Sequence, residues 1–105
     1  MFGDILGNME ERQKEMRQKL AAIQVEGEAG DGAVVVTANA AREITNISIN
    51  EHILDRMDAE QLEDLLLVAV NRALEKAAAT EAAESQKLLK DMMPPGMGDL
   101  SNLFG

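Results

Sequence analysis

The sequence predicts an α+β fold, ordered as one helix, a three-stranded antiparallel sheet, a short turn and a long C-terminal helix. Three observations predict it. Met9, Met16 and Ile23 recur every seven residues with Leu20 beside them, which is a helical seam. Apolar residues then alternate with polar ones between glycine-marked and asparagine-marked turns, which is a strand pattern. Finally Met57, Asp58, Gln61 and Leu62 take the places of staple, cap, reciprocal cap and staple, and so open a second, longer helix.

The first helix is expected from about Met9 to about Ala22. Asn8, with Glu11 three residues on, has the spacing of a capping box, in which each side chain satisfies an otherwise unpaired backbone amide. Gln13 lies in the gap of the seam and the opposite face is charged, as in a helix packed on another helix. The methionines suit seam packing, because Met fills irregular gaps. Ile23 and Val25 alternate with Gln24, Glu26 and Glu28 as a half-buried strand, and Gly27, Gly30 and Gly32 supply turn freedom after it. A second strand runs from Ala33 to about Ala38, where the run Val34-Val35-Val36 predicts burial on both faces. Asn39-Ala40 stands where a tight hairpin commonly carries Asn-Gly. Ala tolerates positive φ poorly, so a loop longer than two residues is expected. The third strand, about Arg42 to Ile49, puts Thr45, Ile47 and Ile49 on one side and Ile44, Asn46 and Ser48 on the other.

Asn50 is placed to cap a short turn containing Ile53 and Leu54. The final helix extends to about Met92, where Pro94-Pro95-Gly96 stops it, a length of ~50 Å at ~1.5 Å per residue. Such a rod projects beyond a small sheet. Leu62, Leu66, Ala69, Ala73 and Ala77 form one stripe on it, and Leu67, Val70 and Leu74 a second, so its first half is apolar on too many sides for one surface. A second copy of the chain is the simplest cover. Residues 1–93 read as one domain and 94–105, with Leu100, Leu103 and Phe104, as a flexible tail.

Composition bounds the chemistry. A chain of 105 residues suits a single domain, and with 46% hydrophobic but 2% aromatic residues its core must be built from Leu, Ile, Val, Ala and Met. Such a core has little bulk, which again favours pairing. The absence of cysteine excludes a disulfide framework, a thiolate nucleophile and a Cys-based zinc site, and fits a reducing compartment. No stretch approaches the ~18 apolar residues of a membrane span, and Met1-Phe2-Gly3-Asp4 does not open as an export signal. A cytoplasmic protein with no membrane partner is expected.

No catalytic grouping stands out. Glu63 and Asp64 are adjacent, so on a helix they point ~100° apart and suit a solvated surface better than a facing acid–base pair. His52 is the single histidine, without Cys or a spaced carboxylate cluster to complete a metal shell. Gly27, Gly30 and Gly32 precede a strand with no Gly-Lys-Ser/Thr, which makes them turn residues and not a phosphate loop. The reading is of a protein that is not an enzyme, with no cofactor, no metal and no small-molecule substrate.

Charge bears on the partner. A net charge of -9 opposes a polyanion, yet the distribution is uneven. Over residues 8–24 the four bases Arg12, Lys14, Arg17 and Lys19 face the three acids Glu10, Glu11 and Glu15, a local sum of +1. Over 58–93 four bases stand against eight acids, a sum of -4. Without Trp or Tyr there is no stacking platform for single strands, while contact with a duplex backbone stays open. So does plain pairing of Arg12 and Lys19 with Glu15 and Glu11 on a solvated helix.

In order, the chain carries a Met1-Phe2-Gly3 start, a Met- and Gln-containing first helix, glycines at Gly27, Gly30 and Gly32, and Val34 and Val36. It continues with Ile47-Ser48-Ile49, Leu62-Glu63-Asp64-Leu65, Ala69-Val70-Asn71-Arg72-Ala73 and the ending Pro94-Pro95-Gly96-Met97. This ordered set resembles the YbaB/EbfC family of small bacterial nucleoid-associated proteins over nearly the whole chain, with Ala40 and the acidic balance as departures. The resemblance implies a homodimer with projecting helical arms, held like tweezers, that binds double-stranded DNA. It also implies that such proteins bend or compact DNA and serve gene regulation, nucleoid organisation and DNA protection, with no catalysis and no cofactor.

With the basic tilt of the first helix, the resemblance makes Arg12, Lys14, Arg17 and Lys19 the expected DNA-backbone contacts, with Lys87 and Lys90 on the far helix as additional candidates. The rival reading is a dimeric protein-interaction module with no direct DNA binding, motivated by the negative charge and the apolar tail.

Overall fold

The structure is a computed structural model that describes residues 2–92, with side chains described over residues 5–91. Helix α1 (Phe2–Ala21) leads into strands β1 (Gln24–Ala29), β2 (Val34–Asn39) and β3 (Ile44–Ile49), followed by one turn of helix, α2 (Glu51–Leu54), and the long α3 (Ala59–Met92). The strands form one antiparallel sheet in the order β1-β2-β3. The α+β order read from the sequence is the order found. The expectations for the tail, 94–105, and for the helix stop at Pro94-Pro95-Gly96 lie outside the described residues.

Local chemistry sets most of the element boundaries. Gln61 N donates to Asp58 Oδ1 at 2.8 Å and Asp58 N donates to Gln61 Oε1 at 3.2 Å, so the reciprocal cap fixes where α3 begins. Asn50 caps α2 by accepting from His52 N at 3.0 Å. The β2–β3 loop is longer than two residues, as Ala40 requires. Asn39 Oδ1 accepts from Ala41 N at 3.0 Å and from Glu43 N at 3.1 Å, and Arg42 takes the positive φ of 65°. The first hairpin turns through positive φ at Gly30, Asp31 and Gly32.

Four expectations are corrected. Helix α1 starts at Phe2 and not near Met9, with Asn8 inside it; Gly7 and Asn8 each cost a helix only about 1 kcal/mol or less, too little to break one. Gly27 is not a turn residue but lies within β1 beneath α3. A Cβ there would collide with Ala69 O and Ala73 N and come within 2.9 Å of Ala73 Cα, so only glycine permits this approach. Val35 is only half-buried. Its cross-strand neighbours Glu28 and Ser48, and Glu26 and Asn46 beside Thr37, make that face of the sheet polar.

The fourth correction concerns β3. Thr37 pairs with Asn46 but Ala38 pairs with Ile44, so Thr45 is the extra residue of a β-bulge. Its hydroxyl bonds back to Thr37 O at 3.3 Å. The bulge shifts the alternation by one, which places Ile44 on the same face as Ile47 and Ile49 and not opposite them. That face also carries Val34, Val36 and Ala38.

The core is the seam between this face and α3. Ala29, Val34, Val36, Ala38, Ala69 and Ala73 are buried together, with Val25, Leu62, Leu65, Leu66 and Val70 packed around them. Helix α3 lies across β1 and β2 and leaves β3 largely uncovered. Ile44 therefore stays 40% exposed and Ile47 49% exposed, and Leu67 on the second stripe of α3 is 62% exposed. The described residues of one chain leave this apolar face partly uncovered.

Candidate nucleic-acid interface

Helix α1 joins the rest of the chain at its last turn. Leu20 is buried, and Ala40 N donates to Leu20 O at 3.1 Å and to Ile23 O at 2.9 Å, which fastens the helix end to the β2–β3 loop. Residues 5–15 are all exposed, so the N-terminal part of α1 stands clear of the sheet. With 20 residues in α1 and 34 in α3, the helices run ~30 and ~51 Å. They account for the flat, elongated dimensions of 61 × 37 × 17 Å.

The helical repeat divides the four bases of α1 into two pairs. Arg12 and Lys19 are seven apart and share one stripe, along which Ile5, Asn8, Met9 and Arg12 line a shallow surface depression. Lys14 and Arg17 are three apart on the opposite side, where they line another depression with Glu10 and Gln13. The predicted set of four is thus not one continuous patch: two bases face one way and two the other.

Their surroundings differ as well. Lys19 Nζ lies 3.2 Å from Glu84 Oε2 of α3. This is an ion pair without hydrogen-bond alignment, since the Glu84 oxygen is buried and otherwise without a hydrogen-bond partner. Glu81, one turn earlier on α3, holds Arg42 at 3.1 Å. Arg72 reaches across from α3 to donate to Glu28 O of β1 at 2.7 Å, occupying a carbonyl of an edge strand. Among the described residues, Arg12, Lys14, Arg17, Lys87 and Lys90 make no ion pair, and all five are exposed. Lys87 and Lys90 sit at the far end of α3, beside the exposed Leu88 and Leu89.

The structural roles of Arg42 and Arg72 escape sequence reasoning because their partners lie 39 and 44 residues away. The remaining titratable groups do not converge. Glu63 and Asp64 are exposed on α3, His52 is exposed in α2, and among the described residues no three His, Cys, Asp or Glu side chains gather into a metal-binding group. No described helix is long and apolar enough to cross a membrane.

A family model described as the YbaB/EbfC DNA-binding family matches residues 2–92. A nucleoid-associated protein of Thermodesulfovibrio yellowstonii is 40% identical over 108 aligned residues, covering 100% of this chain and 95% of the relative. One from Chloroflexus aggregans is 41% identical, covering 91% and 88%, and one from Neisseria meningitidis is 39% identical, covering 87% and 83%. The crystal structure of an uncharacterized protein from Helicobacter pylori superposes with a TM-score of 0.68 at 20% identity, over 84% of this chain and 92% of that one, and so shares the fold.

Proposed function

Since the chain belongs to the YbaB/EbfC DNA-binding family, we propose that it binds double-stranded DNA as a homodimer, mostly through contacts to the phosphate backbone. The observation that carries this reading is the exposed, unpaired Lys14 and Arg17 on the outer side of a helix that stands clear of the sheet. Arg12 on the opposite stripe and Lys87 and Lys90 at the tip of α3 add further positive charge along the same two arms. Lysine and arginine on a helix surface make good phosphate contacts and read no bases by themselves. Without Trp or Tyr to stack on unpaired bases, a duplex is the better substrate.

The half-exposed sheet face supports the dimer. Burying the half-exposed Ile44 and Ile47, and the exposed Leu67 of α3, against a second copy would extend the core that α3 leaves open. Pairing also sets two α1 arms at a fixed separation, so that weak sites act together on one duplex. A net charge of -9 per chain works against approach to DNA, so affinity depends on these local contacts and on low ionic strength. The proposed setting is the bacterial nucleoid within the cytoplasm, where such binding alters DNA conformation and contributes to gene regulation, nucleoid organisation and DNA protection.

A gel-shift titration with a duplex at low salt tests the reading. The parent is expected to retard the duplex, with affinity falling as salt rises, while the Arg12→Ala/Arg17→Ala protein binds several-fold more weakly with a shallower salt slope. Equal binding by parent and variant removes those residues from the role. The exposed Ile5, Leu6, Leu88 and Leu89 on the arms support a second reading, a dimeric protein-interaction module. Recovery of one protein in stoichiometric amount, with no retardation of DNA, would favour it.

A further inference from the structure

We propose that Glu84 is a DNA competitor built into the fold: its carboxylate engages the Lys19 ammonium that would otherwise meet a phosphate. The inference rests on the DNA-binding reading above and concerns how that same surface is regulated. Its basis is the asymmetry of the pair. The Lys19 side chain is 58% exposed and the Glu84 side chain 21%, with Nζ and Oε2 3.2 Å apart. The carboxylate is thus the less exposed partner, on α3, while the lysine reaches it across solvent from the last turn of α1.

Glu84 Oε2 is buried and has no hydrogen-bond partner, so the Lys19 ammonium is the group that compensates its charge. Drawing Lys19 away to a phosphate breaks this pair, so a phosphate must compete with the Glu84 carboxylate for the same ammonium. Lys14 and Arg17, on the other side of α1, carry no such constraint. The four bases of the first helix are therefore unequal: two are free on one side, Arg12 is free on the other, and Lys19 is held back by α3. Arg42 and Glu81 repeat the arrangement one turn earlier, so a single stretch of α3 draws in one base from α1 and one from the β2–β3 loop. Glu84 acts here through Lys19 and is a positioning residue.

The test is the salt dependence of duplex binding by full-length parent, Lys19→Ala, Glu84→Gln and the double variant, with Glu84→Ala as a second form of the release. Each phosphate engaged by a base adds ~0.9 to the slope of log K against log salt. One additional phosphate therefore means a further ~3.5-fold loss of affinity for a fourfold rise in salt. Lys19→Ala alone is expected to leave the slope unchanged. Glu84→Gln and Glu84→Ala are expected to steepen it by ~0.9 for each Lys19 that engages, and Lys19→Ala/Glu84→Gln to return it to the parent value.

Three results would overturn the proposal: a shallower slope for Lys19→Ala alone, an unchanged slope on releasing Glu84, or a steepening that survives loss of Lys19 and so reflects only the removed negative charge. Failure of the parent to retard any duplex is a separate result that overturns the DNA-binding reading itself. Far-UV circular dichroism on each variant separates altered DNA binding from a loss of fold.

Discussion

Over β1 and β2, helix α3 comes so close that Gly27 has no room for a methyl group, whereas over β3 Ile44 and Ile47 of the same sheet face stay 40% and 49% exposed. Both regions are apolar and only one strand apart. They differ in who supplies the opposing surface. On the β1 side small residues face small ones, Gly27 and Ala29 against Ala69 and Ala73, and the backbones themselves are in contact. On the β3 side Ile44 and Ile47 stand half-exposed, with no described helix laid over them. A close-packed seam is complete within the described residues, while the half-exposed isoleucines are the surface on which the proposed dimer would close.

The largest expected effect breaks the close side. In Gly27→Ala the new methyl meets backbone atoms of α3, which cannot rotate away, so α3 must lift from the sheet. A loss of about 3 kcal/mol or more follows, seen as a fall in Tm of roughly 12 °C or more. Gly7→Ala is the internal contrast. That position lies within α1 with no atom within 4 Å of a new Cβ, so the same change is expected to stabilise by roughly 0.5–1 kcal/mol. Thermal melts that rank the two variants the other way would show that α3 does not rest on Gly27.

The next effect is on the open side. Ile47→Asp puts a carboxylate in the middle of the bare face, which a single chain tolerates because the position is exposed and a dimer does not. At about 2 kcal/mol for each copy, the dimer dissociation constant is expected to rise on the order of 10³-fold with the far-UV circular dichroism retained. Ser48→Asp, one residue on but on the polar face, is expected to leave assembly unchanged. Sedimentation that finds Ile47→Asp still dimeric, or the parent monomeric at micromolar concentration, moves the interface elsewhere.

The two regions are unequally legible from sequence. Features encoded within a few residues are readable: the Asp58–Gln61 and Asn50 caps, the loop forced by Ala40, and the Ala69, Ala73 and Ala77 stripe. The role of Gly27 is hidden because the clash that requires glycine comes from residues more than forty positions later. A small-residue stripe with four-residue spacing is nevertheless a signal that some backbone approaches closely. The isoleucine ladder is misread because alternation cannot reveal a bulge; Thr45 is extra only in relation to the register that β2 imposes. The candidate interface fares likewise. Composition picks out the bases of α1, and the repeat of the helix expected from about Met9 to about Ala22 already divides them into two sides, but the engagement of Lys19 needs α3 beside it.

The smallest effect sharpens the comparison by acting at the start of α3, the helix that closes one region and leaves the other open. Asp58 Oδ1 accepts from Gln61 N at 2.8 Å, while the reverse bond, from Asp58 N to Gln61 Oε1, is longer at 3.2 Å. Both are exposed, so water replaces part of whatever is lost, and Asp58→Ala is expected to lower stability by about 1 kcal/mol. Gln61→Ala removes only the longer bond and should cost less. Because the cap lies outside the isoleucine face, neither variant should change the dimer dissociation constant, in contrast with Ile47→Asp. A cap variant that weakened assembly as much as it lowered Tm would mean that α3 carries part of the interface from its first turn, and that the boundary between the closed and open regions lies along the helix and not between the strands.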